Sequence, residues 1–206
     1  MRRLEQVIAY VDGFNLYFGL RQKRWHRYYW LDVQRLAQNL IRPGQHLVTT
    51  KYFTSRVSRP ATKRKRQSDY LEALDTLPGL QIFYGKYQVD PRECGRCGQM
   101  DYVPHEKMTD VNIAVELLTD AFQNRFDVAL LISADSDLVA PVVSTRALFP
   151  TKRVIIAFPP ERSSKELKKI ANANFQIGRR TIAASLLPIQ ITKPSGIILE
   201  CPPGWR

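Results

Sequence analysis

Four aspartates stand where carboxylates are costly. Asp12 closes the apolar run Val7-Ile8-Ala9-Tyr10-Val11, and Asp135 and Asp137 follow the apolar run Val128–Ile132. Asp110 falls in the first turn of a long, periodic helical stretch. Carboxylates gathered at one place repel one another unless a cation joins them. An all-oxygen donor set suits Mg2+ or Mn2+. Such an ion can hold a phosphate, lower the pKa of a water and neutralise a leaving oxyanion, which is the chemistry of phosphodiester hydrolysis. Each acid also has a local explanation. Asp12-Gly13 can form a turn, Asp110 is favoured by the helix dipole, and Asp135 can cap the following helix. Those explanations leave unaccounted for why all of them sit at strand ends of one sheet. Glu72, Glu116 and Asp120 are expected on solvated helix faces. An alternation of the β type over residues 135–137 would aim Asp135 and Asp137 the same way.

The elements that must position these acids alternate between strand and helix. Strands are expected at Val7–Val11, Leu47–Phe53, Leu80–Tyr84, Val128–Ile132 and Val154–Phe158, with Ile177 beginning a last short one. Helices are expected at Leu31–Ile41 with Asp32 as N-cap, at Ala61–Leu77, at Lys107–Asn124, at Leu138–Leu148, and at Ser163–Ala173 with Ser163 or Ser164 as cap. The Lys107–Asn124 helix would bury Val111, Ala114, Val115, Leu118 and Phe122. Residues 85–106 form a polar excursion, and from Pro188 the chain is Pro-rich and reads as a tail. This order specifies an α/β fold, a doubly wound parallel sheet sandwiched by helices. In such sheets ligands gather outside the carboxyl ends of the strands. If the first and fourth strands are neighbours, the aspartates converge there. The chain has no GxGxxG and no GxxxxGK[ST], which disfavours dinucleotides and P-loop nucleotides.

The charge names a class of partner. The chain of 206 residues carries a formal net charge of +12. Thirteen Lys and Arg lie between Arg21 and Arg66 against one acid, Asp32, so this quarter of the chain holds the whole excess. A basic surface of this kind suits a polyanion, most simply nucleic acid. Arg24-Trp25-His26-Arg27-Tyr28-Tyr29-Trp30 interleaves cations with rings that could stack on unpaired bases or pack as core. The candidate RNA-binding residues are Arg24, Trp25, Arg27, Arg59, Lys63, Arg64, Lys65 and Arg66, and single-stranded RNA is the expected substrate. No apolar run is long enough to cross a membrane, so no membrane partner is expected. The first residues carry an acid, Glu5, and no long apolar stretch, so a cytoplasmic location is expected.

Three cysteines, an odd number, argue against a disulfide framework. Cys94-Gly-Arg-Cys97 has the spacing of a zinc knuckle, with His105 the nearest third ligand. The alternative is two free thiols. Structural Zn2+ would need further ligands, and a homodimer sharing the metal is one arrangement that completes the set.

Three ordered segments carry a family resemblance. Tyr10-Val-Asp12-Gly-Phe-Asn15-Leu-Tyr17, Glu106-Lys107-Met-Thr-Asp110-Val-Asn and Ile132-Ser133-Ala-Asp135-Ser-Asp137-Leu resemble the signatures of the NYN domain. That domain is a branch of the PIN-like metal-dependent nucleases, and the likeness is to its LabA-like members. Arg66-Gln-Ser-Asp-Tyr70-Leu-Glu-Ala-Leu74 and Phe158-Pro-Pro-Glu-Arg-Ser-Ser164-Lys-Glu-Leu167 are similar to the same branch. The resemblance implies PIN-like topology over residues 1–187, with 188–206 a C-terminal tail, and Mg2+- or Mn2+-dependent cleavage of RNA. It implies Asp12, Asp110, Asp135 and Asp137 as metal-binding acids, Asn15 and Ser133 as supporting polar groups, and Lys107 as a phosphate-side cation. Asp12 and Asp135 are the expected direct ligands; Asp110 and Asp137 would hold a second ion or orient water. One departure stands out: Ala134 occupies the place where the family usually has Gly. A positive φ there would strain the loop. The alternative reading of the same fold is an inactive RNA-binding or regulatory module. A phosphatase is disfavoured because Phe14 stands where its second aspartate would be.

Overall fold

The structure, a computed structural model, describes residues 3–93 and 95–205, with side chains for all of these except 87–93 and 101–106. Six strands form one parallel sheet: β1 (Glu5–Asp12), β2 (Gln45–Thr54), β3 (Leu80–Tyr84), β6 (Val128–Ile132), β7 (Arg153–Phe158) and β8 (Ala173–Gln176), in the order β3-β2-β1-β6-β7-β8. A hairpin, β4 (Lys86–Glu93) with β5 (Met100–Lys107), occupies the excursion between β3 and the next helix.

Strands β1 and β6 are central, which is why their sequences run apolar without interruption. Alternation still divides their side chains between the two faces. Val7, Ala9, Val11, Val128, Leu130 and Ile132 enter one core, while Ile8, Tyr10, Ala129 and Leu131 enter the other. The first core is closed by α1 (Gly13–Gln22), α2 (Val33–Leu40), α3 (Ala61–Leu74) and α7 (Arg179–Ala183). The second is closed by α4 (Thr109–Phe122), α5 (Val139–Leu148) and α6 (Lys165–Ile170). The doubly wound sandwich expected from the sequence is therefore present. Asp32 caps α2 by accepting from the Arg35 N–H, and Ser164 caps α6 by accepting from the Leu167 N–H. Helix α1 has weak periodicity and is not apparent in the sequence.

Two expectations are corrected. The buried stripe of α4 is Ile113, Leu117 and Ala121, whereas Val111, Val115 and Phe122 are exposed and Ala114 and Leu118 are half-buried. Both faces of this helix are apolar, and the winning one is joined by Asp120. That residue is the second correction, because it is fully buried and not solvated. It accepts from the Tyr10 hydroxyl at 2.6 Å and from Lys51 Nζ at 2.6 Å, and Lys51 also pairs with Glu116. The charge pair and its hydrogen bonds offset the desolvation of Asp120. Lys51 is accordingly buried and no part of the basic surface. Burial and the Asp120 charge raise the Tyr10 phenol well above its ordinary value.

Of the two readings of the rings after Trp25, packing as core holds for three of them. Tyr28, Tyr29 and Trp30 are buried core residues. The chain from Pro188 onward also packs on the domain. A short hairpin, β9 (Gln190–Thr192) with β10 (Ile198–Glu200), buries Leu199 and Cys201 in the first core. Trp205 then lies against Tyr29, Trp30 and Tyr70. No helix among the described residues is long and apolar enough to cross a membrane.

Candidate metal centre

The connection from β1 runs outward through β2 to β3, and the later strands run the other way from β6 through β7 to β8. The sheet therefore has its switch point between β1 and β6, where open α/β sheets leave a crevice at the carboxyl ends of their strands. Val11 lies opposite Ile132, which sets Asp12 and Ser133 side by side at that crevice.

Asp12 is buried and hydrogen-bonded at both carboxylate oxygens. Its Oδ1 accepts from the Asn15 N–H at 2.9 Å, capping α1, and its Oδ2 accepts from Ser133 Oγ at 2.8 Å. Gly13 lets the chain turn into α1 against β2: a Cβ there would meet the Tyr52 hydroxyl at 2.5 Å and the Phe53 carbonyl oxygen at 2.8 Å. Ser133 Oγ also accepts from the Asp135 N–H at 3.1 Å. Asn15 is buried too; its Oδ1 accepts from the Ala134 N–H at 3.1 Å and from Arg162 Nε at 3.4 Å. Ala134 is not among the residues with positive φ, so the loop carries no strain at the position where a glycine would be usual.

Asp110 reaches the crevice from the first turn of α4. The residue before the helix, Met108, turns the chain out of β5 with φ at 77°, a left-handed conformation that costs a side-chain-bearing residue energy. Carboxylate oxygens of Asp12, Asp110 and Asp135 all lie within 4.8 Å of one another. Burial, with the charges of Asp135 and Asp137 beside it, pushes the Asp110 carboxyl up to about 6. The donor set is all carboxylate oxygen, and its mutual repulsion is what a hard divalent cation would relieve. The residues therefore fit a hard divalent cation.

Asp137 stands outside this trio. The chain after Asp135 is a 3-10 turn over Ser136–Leu138, not extended backbone, so the alternation expected over 135–137 is broken. Asp135 accepts from the Asp137 N–H at 3.0 Å, which makes it a cap as well as a member of the trio. Asp137 is exposed at the rim, close enough for its charge to act on Asp110. Lys107 is exposed at the end of β5, three residues before Asp110. Arg162 was not singled out in the sequence. Its place in the loop after β7, at the same end of the sheet, is the signal that could have found it.

The basic residues divide into two groups. Arg24 and Arg27 are exposed after α1, with Trp25 half-buried between them, and Arg179 lies over the Trp25 ring. Arg59, Lys63 and Arg66 line a cavity of about 330 Å³, while Arg64 and Lys65 are exposed on the first turns of α3. Of the knuckle residues, Cys97 is exposed, and Cys94 and the His105 side chain lie outside the described residues. Cys201 is buried in the core.

Comparisons with known proteins agree with this fold. A solved structure of a protein of unknown function from Vibrio parahaemolyticus superposes with a TM-score of 0.58 at 18% identity, covering 91% of this chain and 99% of that one. Among curated proteins, the chain is 27% identical over 175 residues to 6-hydroxy-3-succinoylpyridine 3-monooxygenase HspA of Pseudomonas putida. That match takes in 67% of this chain, which spans about half the length of the relative (54%). The model of the NYN domain matches residues 6–177, from the start of β1 to the end of the six-stranded sheet. With its acids gathered at the switch point and this match over most of its length, the chain belongs to the NYN domain family, a branch of the PIN-like nucleases.

Proposed function

We propose that this chain is a metal-dependent endoribonuclease that hydrolyses phosphodiester bonds of single-stranded RNA. The observation that carries the reading is the convergence of Asp12, Asp110 and Asp135 at the β1/β6 switch point. These three would hold Mg2+ or Mn2+. When bound, the ion supplies a Lewis acid for the scissile phosphate and a water of lowered pKa. Ser133 and Asn15 keep Asp12 and the 133–135 loop in one arrangement, so little reorganisation is needed when substrate arrives. Asp137 orients water at the rim, and Lys107 and Arg162 are cations beside the incoming phosphate. The exposed Arg and Lys of the first half guide the strand in. The nuclease domain comprises residues 1–187.

A second reading keeps the fold and changes the substrate. The relative from Pseudomonas putida is named for the oxygenation of a pyridine-bearing acid, and the aromatic cavity near Asp12 is of a size that suits a small aromatic molecule. The two readings part in one experiment. Purified protein is mixed with end-labelled single-stranded RNA in Mn2+, Mg2+ or chelator, beside Asp135→Asn. Metal-dependent cleavage that disappears in the variant supports the nuclease. Intact RNA under every metal removes it.

A further inference from the structure

A cavity lies beside α1. Its wall includes Gly13, the residue directly after Asp12, so the cavity begins one peptide unit, about 3.8 Å of chain, from the candidate metal ligand. It opens at the carboxyl ends of β1 and β2, since Tyr52 and Thr54 also line it. Its walls are rich in rings: Phe14, Tyr17 and Phe18 from α1, Tyr29 from the core, and Trp205 from the C-terminal segment. Phe14, Tyr17 and Trp205 are only half-buried and Phe18 is exposed, so rings are reachable from solvent.

Four cations share that lining: Arg21 from α1, Arg59 from the loop before α3, and Lys63 and Arg66 from the first turns of α3. Among the described residues, no acidic side chain lines the cavity and none of the four has an ion-pair partner. Lys63 and Arg66, three residues apart in α3, share one face of that helix, and Arg59 reaches the same cavity from the chain just before it. Like charges held together around an aromatic floor repel one another, and a bound anion relieves that cost. A ring to stack and a phosphate to pair are the two halves of a nucleotide.

We propose that this cavity is a nucleotide pocket, which takes one unpaired base of the substrate strand with its phosphate on Arg59, Lys63 and Arg66, beside the bond the acidic site acts on. The assignment rests on the reading of the chain as a nuclease. A small aromatic acid would use the rings and one cation. It would leave the remaining cations unmatched, and it would gain nothing from Arg64 and Lys65, which continue the basic stripe outside the cavity. A nucleic acid strand that leaves the pocket runs along that stripe.

The test uses the full chain carrying Asp135→Asn, in chelator, so that binding is read without turnover. The probes are 5′-UMP, 5′-AMP, the matching nucleosides and nicotinate, titrated by calorimetry. The expected result is that the mononucleotides bind, the nucleosides bind about tenfold more weakly or worse, and nicotinate is weaker still. Adding Arg59→Ala and Lys63→Ala, both exposed positions, weakens the mononucleotides by about tenfold or more with the melting temperature unchanged. Mononucleotides that fail to bind, or that bind equally to the Arg59/Lys63 variant, overturn the pocket. Nicotinate binding as tightly as the nucleotides also overturns it, in favour of a small-acid site. The cleavage assay above separates the two failures. Nucleotide binding without RNA cleavage keeps the pocket and removes the nuclease, whereas cleavage without nucleotide binding removes the pocket and keeps the nuclease.

Discussion

Ser133 Oγ donates to Asp12 Oδ2 across 2.8 Å, at the ends of two neighbouring parallel strands. The same oxygen accepts from the Asp135 N–H, so one hydroxyl ties together two of the three converging acids. Groups that orient metal ligands in this way carry much of the affinity. Ser133→Ala should weaken Mn2+ binding by about 10–100-fold with the fold retained. Calorimetric Mn2+ titration beside far-UV circular dichroism checks it; unchanged affinity would show that the hydroxyl serves packing alone.

Substituting a ligand should separate cleavage from binding. Asp12→Asn and Asp135→Asn are each expected to reduce RNA cleavage to background. Affinity for single-stranded RNA should stay within about threefold of the parent, because phosphate contacts come from Lys and Arg at other positions. Filter binding and gel-resolved cleavage on the same oligonucleotide measure both. A variant that cleaves like the parent removes its aspartate from the site.

Asp110 should cost the metal-free protein stability. Its carboxyl is raised to about 6 in the fold against 3.8 in the reference state, so the folded protein holds this proton more tightly than the unfolded chain does. Stability from this group is full below pH 4, is lost as pH rises through 6, and is absent at pH 7. Asp110→Asn should therefore raise the stability of the metal-free protein at pH 7 by about 1 kcal/mol, after a discount for its partial exposure. The gain should shrink at pH 4. Denaturant unfolding in chelator at the two pH values checks the sign, and an equal effect at both rejects the electrostatic cause.

The Lys51–Asp120 pair should behave as a buried ion pair. Lys51→Met leaves Asp120 fully buried with Tyr10 and Arg125 as its remaining partners and should cost about 3–5 kcal/mol. Adding Asp120→Leu should recover part of the loss, since the orphaned charge is then gone. Unfolding of the two variants in parallel measures it. A double variant less stable than Lys51→Met would place the cost in packing instead.

The C-terminal segment should contribute to stability despite its tail-like composition. Leu199 is buried in the first core, and Leu199→Ala is expected to cost about 2–5 kcal/mol. Thermal unfolding reads the loss, and a shift of less than about 0.5 kcal/mol, the size of a surface substitution, would mean that the segment does not dock in solution.

The central sheet was legible because its cause is local. Val7–Val11 and Val128–Ile132 are too apolar to be anything but interior strands, and Asp32 and Ser164 mark helix starts by residue type alone. The acids stood out for the same reason: a carboxylate at the end of a buried strand is conspicuous in one dimension. Other features were not local. Helix α4 is apolar on two faces, and only the partners waiting across the sheet, Lys51 and Tyr10 with Asp120, decide which one is buried. The segment after Pro188 lacks periodicity, yet Ile191, Leu199, Cys201 and Trp205 find places on the domain.

By itself, then, the sequence determined the residue types: which strands must be interior, which carboxylates stand at or near their ends, and where the positive charge is concentrated. Tertiary structure decided which of those carboxylates meet. Pairing β1 with β6 brings Asp12 beside Ser133 from 121 positions away, and α4 delivers Asp110 to the same crevice. A turn at Ser136–Leu138 keeps Asp137 out of the trio although it is two residues from Asp135. It also decided that rings from α1, the core and the last residues of the chain line one cavity with Arg59, Lys63 and Arg66. The physical reason is that repulsion, burial and chelation depend on distances across the sheet, and those distances come from strand order, which no local pattern contains.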